Sequence, residues 1–77
     1  MSDKKKVSLG REYSFGKEVT VNILTLDDEE KILEQMEKGV SEKKATIALS
    51  CGLKVDEAGK IVTPDAIKII ETINAFV

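Results

Sequence analysis

Large apolar side chains recur at every second position in the first third of the chain. Val19, Val21 and Ile23 lie two residues apart, and β-branched side chains pack well on a pleated strand. A partner strand has four large side chains available: Val7, Leu9, Tyr13 and Phe15. Gly16 can adopt the positive φ of a tight turn without steric cost. The pattern therefore predicts a β-hairpin that turns near residues 15–18.

Signals for a helix follow the hairpin. Thr25 precedes Asp28 by three residues, which is the spacing of a capping box, and Gly39 suits the position after a helix C-terminus. We expect a first helix from about Leu26 to Lys38. Three side chains form its apolar stripe: Ile32, Leu33 and Met36.

The second half of the chain predicts two more helices. Ser41 can cap a helix over 42–51, and Gly52 suits the turn that ends it. Residues 54–62 mix acidic residues and a glycine between short apolar pairs, so they are predicted to form a loop. Thr63 and Pro64 supply an N-cap and a first helical residue, and the third helix should run from Pro64 almost to the end.

These elements predict the fold class α+β, with an N-terminal β-hairpin packed on three short helices in a single small domain, residues 7–77. Residues 1–6 are polar and contain three consecutive lysines, and we expect a disordered basic tail. A chain of 77 residues is too short for two domains, and its core is marginal. The predicted core contains nine side chains: Val21, Ile23, Leu33, Met36, Ile47, Leu49, Ile67, Ile70 and Ile73.

The composition argues against catalysis and metal binding. The chain has no histidine, so histidine-based triads and zinc sites cannot form. Cys51 is expected at the C-terminal end of a helix, where the dipole raises the pKa of a thiol. Residues 54–65 resemble a calcium loop, but Lys54 and Ala58 replace two ligands. The sequence therefore predicts no catalytic residues, no metal ligands and no cofactor.

Nucleic acid and membranes are not the expected partners. No apolar run is long enough to cross a bilayer, and no apolar h-region follows the N-terminal lysines, so we expect a cytoplasmic protein without a signal peptide. The net charge is −2, which disfavours a general polyanion binder. Ala48, Gly52 and Leu53 resemble the first helix and turn of a helix-turn-helix, so a small DNA-binding transcriptional regulator is the alternative function. A toxin–antitoxin component or another small accessory subunit also stays open.

Four segments, taken in order, carry a resemblance to a known family. They are a glycine-turn hairpin (Phe15–Val21), a helix start (Thr25–Asp28), a helix end (Ala48–Leu53) and a closing helix (Asp65–Phe76). This order resembles the small tail assembly chaperones of contractile-tailed phages, and residues 24–31 also look like the related chaperones for baseplate hub assembly. The resemblance implies a non-catalytic protein of the bacterial host cytoplasm. Its implied partner is the long, helical tape-measure protein or another tail protein, kept soluble during tail assembly.

The last helix supplies more apolar side chains than one inner face can bury. With Ile67, Ile70 and Ile73 facing inward, Ile69 and Phe76 lie toward the helix edge. Together with Leu53 and Val62 they form the predicted partner-binding patch. Two alternatives stay open: the hairpin covers these side chains, or a second copy of the chain does.

Overall fold

The computed structural model describes residues 4–76, in which an antiparallel hairpin is followed by four helices. The elements in chain order are β1 (Lys4–Tyr13), β2 (Gly16–Asn22), α1 (Leu26–Glu37), α2 (Glu42–Cys51), α3 (Val55–Gly59) and α4 (Thr63–Asn74). The prediction of an α+β fold in one small domain is confirmed.

Strand β1 begins earlier than predicted. Lys4, Lys5 and Lys6 pair with Asn22, Val21 and Thr20 of β2, so these three lysines belong to the sheet. The prediction of a disordered tail is therefore wrong for residues 4–6, because backbone pairing to β2 orders them. Its remaining part, residues 1–3, lies outside the described residues.

The hairpin contains a large irregularity in β1. Val7 pairs with Val19 and Ser8 with Glu18, but the next pair is Tyr13 with Gly16, so four residues of β1 face one residue of β2. The turn lies at residues 14–15, earlier than predicted, and Gly16 has the expected positive φ of 107°. The bulge removes the Gly10 region from the regular ladder.

The predicted ends of the first two helices are confirmed. Thr25 and Asp28 form a capping box, with Thr25 N donating to Asp28 Oδ2 (2.9 Å) and Asp28 N donating to Thr25 Oγ1 (3.2 Å). The bond from Thr25 N to the carboxylate favours the ionised form and lowers the pKa of Asp28. Ser41 caps α2, and Gly52 ends it in the left-handed conformation, with Leu53 N bonded to Ala48 O (2.9 Å). Local capping chemistry therefore sets these boundaries.

The predicted loop between α2 and α4 contains a short helix, α3, so the protein has four helices over residues 4–76 where three were predicted. Glu57 accepts a hydrogen bond from Lys54 N (3.1 Å), the reciprocal half of a capping box. The prediction of a loop, made from acidic residues and Gly59 between short apolar pairs, is therefore wrong for residues 55–59. The last helix starts at Thr63, with Val62 as N-cap, one residue earlier than predicted.

Only two of the four helices that the structure describes pack directly against the hairpin. Helices α2 and α4 pack against the hairpin, whereas α1 and α3 pack against α2. The core lies between the hairpin, α2 and α4, and its fully or nearly buried apolar members are Val7, Leu9, Val19, Val21, Ile47, Ala48, Ala58, Ile61 and Ile69. Helix α1 thus lies at the periphery of the fold.

The predicted core is only partly correct. Val21 and Ile47 are buried, Leu49, Ile70 and Ile73 are half-buried, and Ile70 and Ile73 pack against the core. Four assignments are wrong, because these side chains are exposed: Ile23, Leu33, Met36 and Ile67. Ile23 is exposed because β2 ends at Asn22, one residue before the alternation would place it on the core face.

A reciprocal pair of hydrogen bonds fixes that strand end. Asn22 Nδ2 donates to Ser50 O (2.8 Å), and Ser50 Oγ donates to Asn22 O (2.7 Å). Ser50 is fully buried, and both side chains satisfy backbone carbonyls at the ends of β2 and α2. The chain therefore leaves the sheet at Asn22, anchored to α2.

Candidate protein-binding surface

The predicted partner-binding patch is not an exposed surface. Ile69 has no accessible surface, and Leu53, Val62 and Phe76 are half-buried. Leu53 and Phe76 pack against the core, and Lys5 Nζ lies 5.3 Å from the centroid of the Phe76 ring. The prediction that Ile69 lies at an exposed edge is wrong, because α4 is rotated so that Ile69 faces inward.

A buried carboxylate explains this rotation of α4. Asp65 is only 2% exposed and accepts hydrogen bonds from Gly10 N (2.8 Å) and Tyr13 Oη (2.7 Å). Tyr13 Oη in turn accepts a bond from Val62 N (3.2 Å). Residues four apart lie on one face of a helix, so the inward position of Asp65 places Ile69 inward as well.

The electrostatics of this cluster are those of a structural anchor. The bond from Tyr13, reinforced by the one from Gly10, lowers the pKa of Asp65. Burial and the bond to Asp65 raise the pKa of Tyr13. The carboxylate stays ionised and the phenol protonated around neutral pH, so both keep the states that their hydrogen bond needs.

Cys51 is the last residue of α2, as predicted, and half-buried. Burial raises the pKa of its thiol to about 11. The thiolate is the nucleophilic form of cysteine, and only a very small fraction forms at neutral pH. The site therefore favours the packing role assigned to Cys51 from the sequence.

The exposed apolar side chains concentrate around α1. Within residues 4–76 five large ones are exposed: Leu26 (79%), Leu33 (59%), Ile67 (50%), Ile23 (43%) and Met36 (38%). All except Ile67 belong to α1 or the segment just before it. We call Ile23, Leu26, Leu33 and Met36 the α1 surface. Contiguous apolar side chains on a small protein often mark an interaction site.

The α1 surface borders a groove between α1 and α2. The groove has a volume of about 320 Å³ and is lined by Leu24, Glu29, Ile32, Leu33, Met36, Glu42 and Thr46. Four of its lining side chains are apolar, and two are carboxylates, Glu29 on α1 and Glu42 on α2. A second, smaller groove of about 210 Å³ lies beside the exposed Ile67, with Lys43 and Glu71 among its lining residues.

Sequence reasoning missed the α1 surface because it placed Leu33 and Met36 on the same inner stripe as Ile32. In the structure only Ile32 of α1 is buried. The sequence did contain a signal for which side of α1 faces solvent. At 3.6 residues per turn, one arc of about 120° contains three apolar and three acidic side chains: Leu26, Leu33, Met36, Glu29, Glu30 and Glu37. Three carboxylates on one stripe indicate a solvent-facing side.

The described residues show no arrangement for a metal, since no three of their cysteine and acidic side chains come together as ligands. Within residues 4–76 no helix has the length and apolar character to cross a membrane. No protein-family model matches the chain, and neither a curated protein nor a solved structure is significantly similar to it.

Proposed function

We propose that this chain is a non-catalytic protein-binding module and that it acts as a tail assembly chaperone of a contractile-tailed phage or prophage, with the tape-measure protein as partner. The observation that carries the binding role is the α1 surface, where Leu26 is 79% and Leu33 59% exposed. Exposed apolar side chains of this size are costly in water unless a partner covers them.

The position of α1 supports this role. The helix packs on α2 only, so its outer face is free of the other elements in the described chain. A small domain with a marginal core would normally turn Leu33 and Met36 inward. Their exposure therefore favours a surface that is kept for binding.

The phage assignment rests on the resemblance. The helix start at Thr25 and the helix end at Gly52, which carry part of it, form the expected caps. A protein that keeps a long helical client soluble needs an apolar docking surface and no catalytic group. The α1 surface meets the first requirement.

The test is co-expression with the tape-measure protein encoded in the same gene cluster. We expect the chain to increase the soluble fraction of the tape-measure protein and to co-elute with it. The double variant Leu33→Ser/Met36→Ser should abolish co-elution, whereas the control Ile67→Ser, on α4, should retain it. An insoluble tape-measure protein, or a gene cluster without tail genes, would reject the chaperone role.

The DNA-binding alternative is a separate outcome. Helix α3 follows α2 at the spacing of a recognition helix, but it has five residues and carries Asp56 and Glu57. Mobility shift of duplex DNA at about 50 mM salt should show no complex. A salt-dependent shift would favour the regulator.

A further inference from the structure

The α1 surface has the length and shape to receive a helix. Leu26 and Met36 are ten residues apart on one helix, which separates them by about 15 Å along the axis. The groove beside them lies between two helices, and four of its seven lining side chains are apolar. A partner helix of about three turns that projects apolar side chains at i, i+4 and i+7 would fill such a groove.

Both charged side chains that line this groove, Glu29 and Glu42, are acidic. Helix α1 contains six acidic residues and a single lysine, in a chain whose whole net charge is −2. Glu29, Glu30 and Glu37 are exposed on the same arc as the α1 surface, and Glu42 lines the groove from α2. A docked partner must bring cationic side chains, because the carboxylates would repel an acidic one.

The same charges argue against a second copy of this chain as the occupant. A two-fold pairing of α1 with α1 would bring the two sets of carboxylates together. The basic part of the chain is the hairpin, which has five basic and two acidic residues over residues 4–22. Its buried apolar side chains, Val7, Leu9, Val19 and Val21, face the core, so the hairpin offers no apolar stripe to fill the groove.

We propose that the α1 surface and the groove between α1 and α2 bind a basic amphipathic helix of a partner protein. Apolar side chains of the partner enter between Leu33, Met36 and Ile32, and its lysines or arginines meet Glu29 and Glu42. This proposal rests on the protein-binding function and adds the chemistry of the partner.

Synthetic peptides of about 20 residues provide the probe. A helix of that length covers the groove and extends beyond it at both ends. The first peptide carries leucine at i, i+4, i+7 and i+11 and lysine on the flanks of that stripe. A second peptide replaces each lysine by glutamate, and a third keeps the lysines but replaces each leucine by serine. Fluorescence anisotropy should show binding of the first peptide at least about tenfold tighter than that of either control, as apolar and charge complementarity both contribute.

Variants of the protein locate the site. Leu33→Ser/Met36→Ser should weaken binding of the lysine–leucine peptide by about tenfold or more, and Ile67→Ser should leave it unchanged. Glu29→Gln/Glu42→Gln should reduce both the affinity and its dependence on salt. Circular dichroism of each variant checks that the fold is retained, and backbone amide shifts should concentrate in residues 24–46.

Other results would overturn the proposal. Equal binding of the lysine and glutamate peptides would show that charge does not select the partner. A dimer in sedimentation analysis that Leu33→Ser/Met36→Ser dissociates would make a second copy the occupant. A tape-measure complex that forms while the lysine–leucine peptide fails to bind would refute this inference and leave the proposed function standing.

Discussion

Helices α1 and α4 have the same length but bury their large apolar side chains to different extents. Each has 12 residues and acidic side chains in its first turn. In α4, Ile69 is completely buried and Asp65 nearly so, whereas α1 buries Ile32 and exposes Leu26, Leu33 and Met36. The two helices show that hydrophobic spacing identifies an amphipathic helix without fixing which side faces the core.

A polar anchor makes the difference. In α4, Asp65 bonds to Gly10 and Tyr13 of the hairpin, and these bonds require the face that carries Ile69 to point inward. In α1, the described carboxylates of the apolar arc are exposed and Asp28 bonds only to its own N-cap residue. The face of α4 is therefore set by a hydrogen-bonded carboxylate, and the outer face of α1 is left to solvent or a partner.

The largest expected effect on stability is at Ile69, and Ile67 on the same helix is the matched comparison. Ile69→Ala should lower the free energy of unfolding by about 2–5 kcal/mol, since it leaves a cavity in the core. Ile67→Ala, at a half-exposed site, should cost less than about 1 kcal/mol. Urea unfolding measures both, and Ile69→Val, expected to cost about 0.5–1.5 kcal/mol, serves if the alanine variant does not fold. Equal costs at positions 67 and 69 would contradict the orientation of α4.

The next effect concerns the anchor and its pH dependence. The pKa of Asp65 is lower in the folded protein, so its stabilisation is present above the unfolded pKa of about 4 and is lost as pH falls through the folded value. Asp65→Asn should therefore destabilise the protein clearly at about pH 7 and much less near pH 3. Tyr13→Phe removes the hydroxyl donor to Asp65. The free energy of unfolding of this variant should therefore change less with pH than that of the unchanged protein. A pH-independent cost of Asp65→Asn would show that the carboxylate charge is not what anchors α4.

A smaller effect tests the junction of β2 and α2. Ser50→Ala removes the bond to Asn22 O and leaves that carbonyl without its partner hydroxyl. We expect a loss of about 1–2 kcal/mol in chemical denaturation. Ser8→Ala, at an exposed strand position, is the matched control and should change stability by less than about 0.5 kcal/mol. Equal effects at the two serines would remove the case for a buried junction.

Local chemistry made the element boundaries predictable. Thr25, Ser41 and Gly52 sit next to the residues whose backbone groups they satisfy, so the ends of α1 and α2 followed from the sequence. Helix α3 was missed because its capping signal, Glu57, bonds to the backbone of a lysine. Boundaries of this kind depend on contacts within five residues.

The orientation of the helices was not predictable in the same way, because it depends on distant partners. Asp65 is separated by 55 residues from Gly10 and by 52 from Tyr13. An aspartate near the start of a helix is usually explained by the helix dipole, so nothing local marks it as buried. The prediction that Ile69 lies at an exposed edge was wrong for this reason. The α1 surface was missed because Leu33 directly follows the buried Ile32.

Leu33 provides the smallest expected change in stability, and its comparison with Ile32 is the closest test of the α1 surface. Ile32 is 7% and Leu33 59% exposed, although both are large apolar residues in the same turn of one helix. Ile32→Ala should lower the free energy of unfolding by about 2 kcal/mol or more, because it leaves a cavity between α1 and α2. Leu33→Ala should change it by less than about 0.5 kcal/mol, since alanine favours the helix and the leucine buries little. Thermal unfolding of the two variants gives the comparison.

If Leu33→Ala costs as much as Ile32→Ala, Leu33 packs inside the fold. Helix α1 then has no apolar outer face, and the proposed docking surface is rejected. If the costs differ as expected, Leu33 adds little to the stability of the isolated chain, which supports the proposed binding role of the α1 surface.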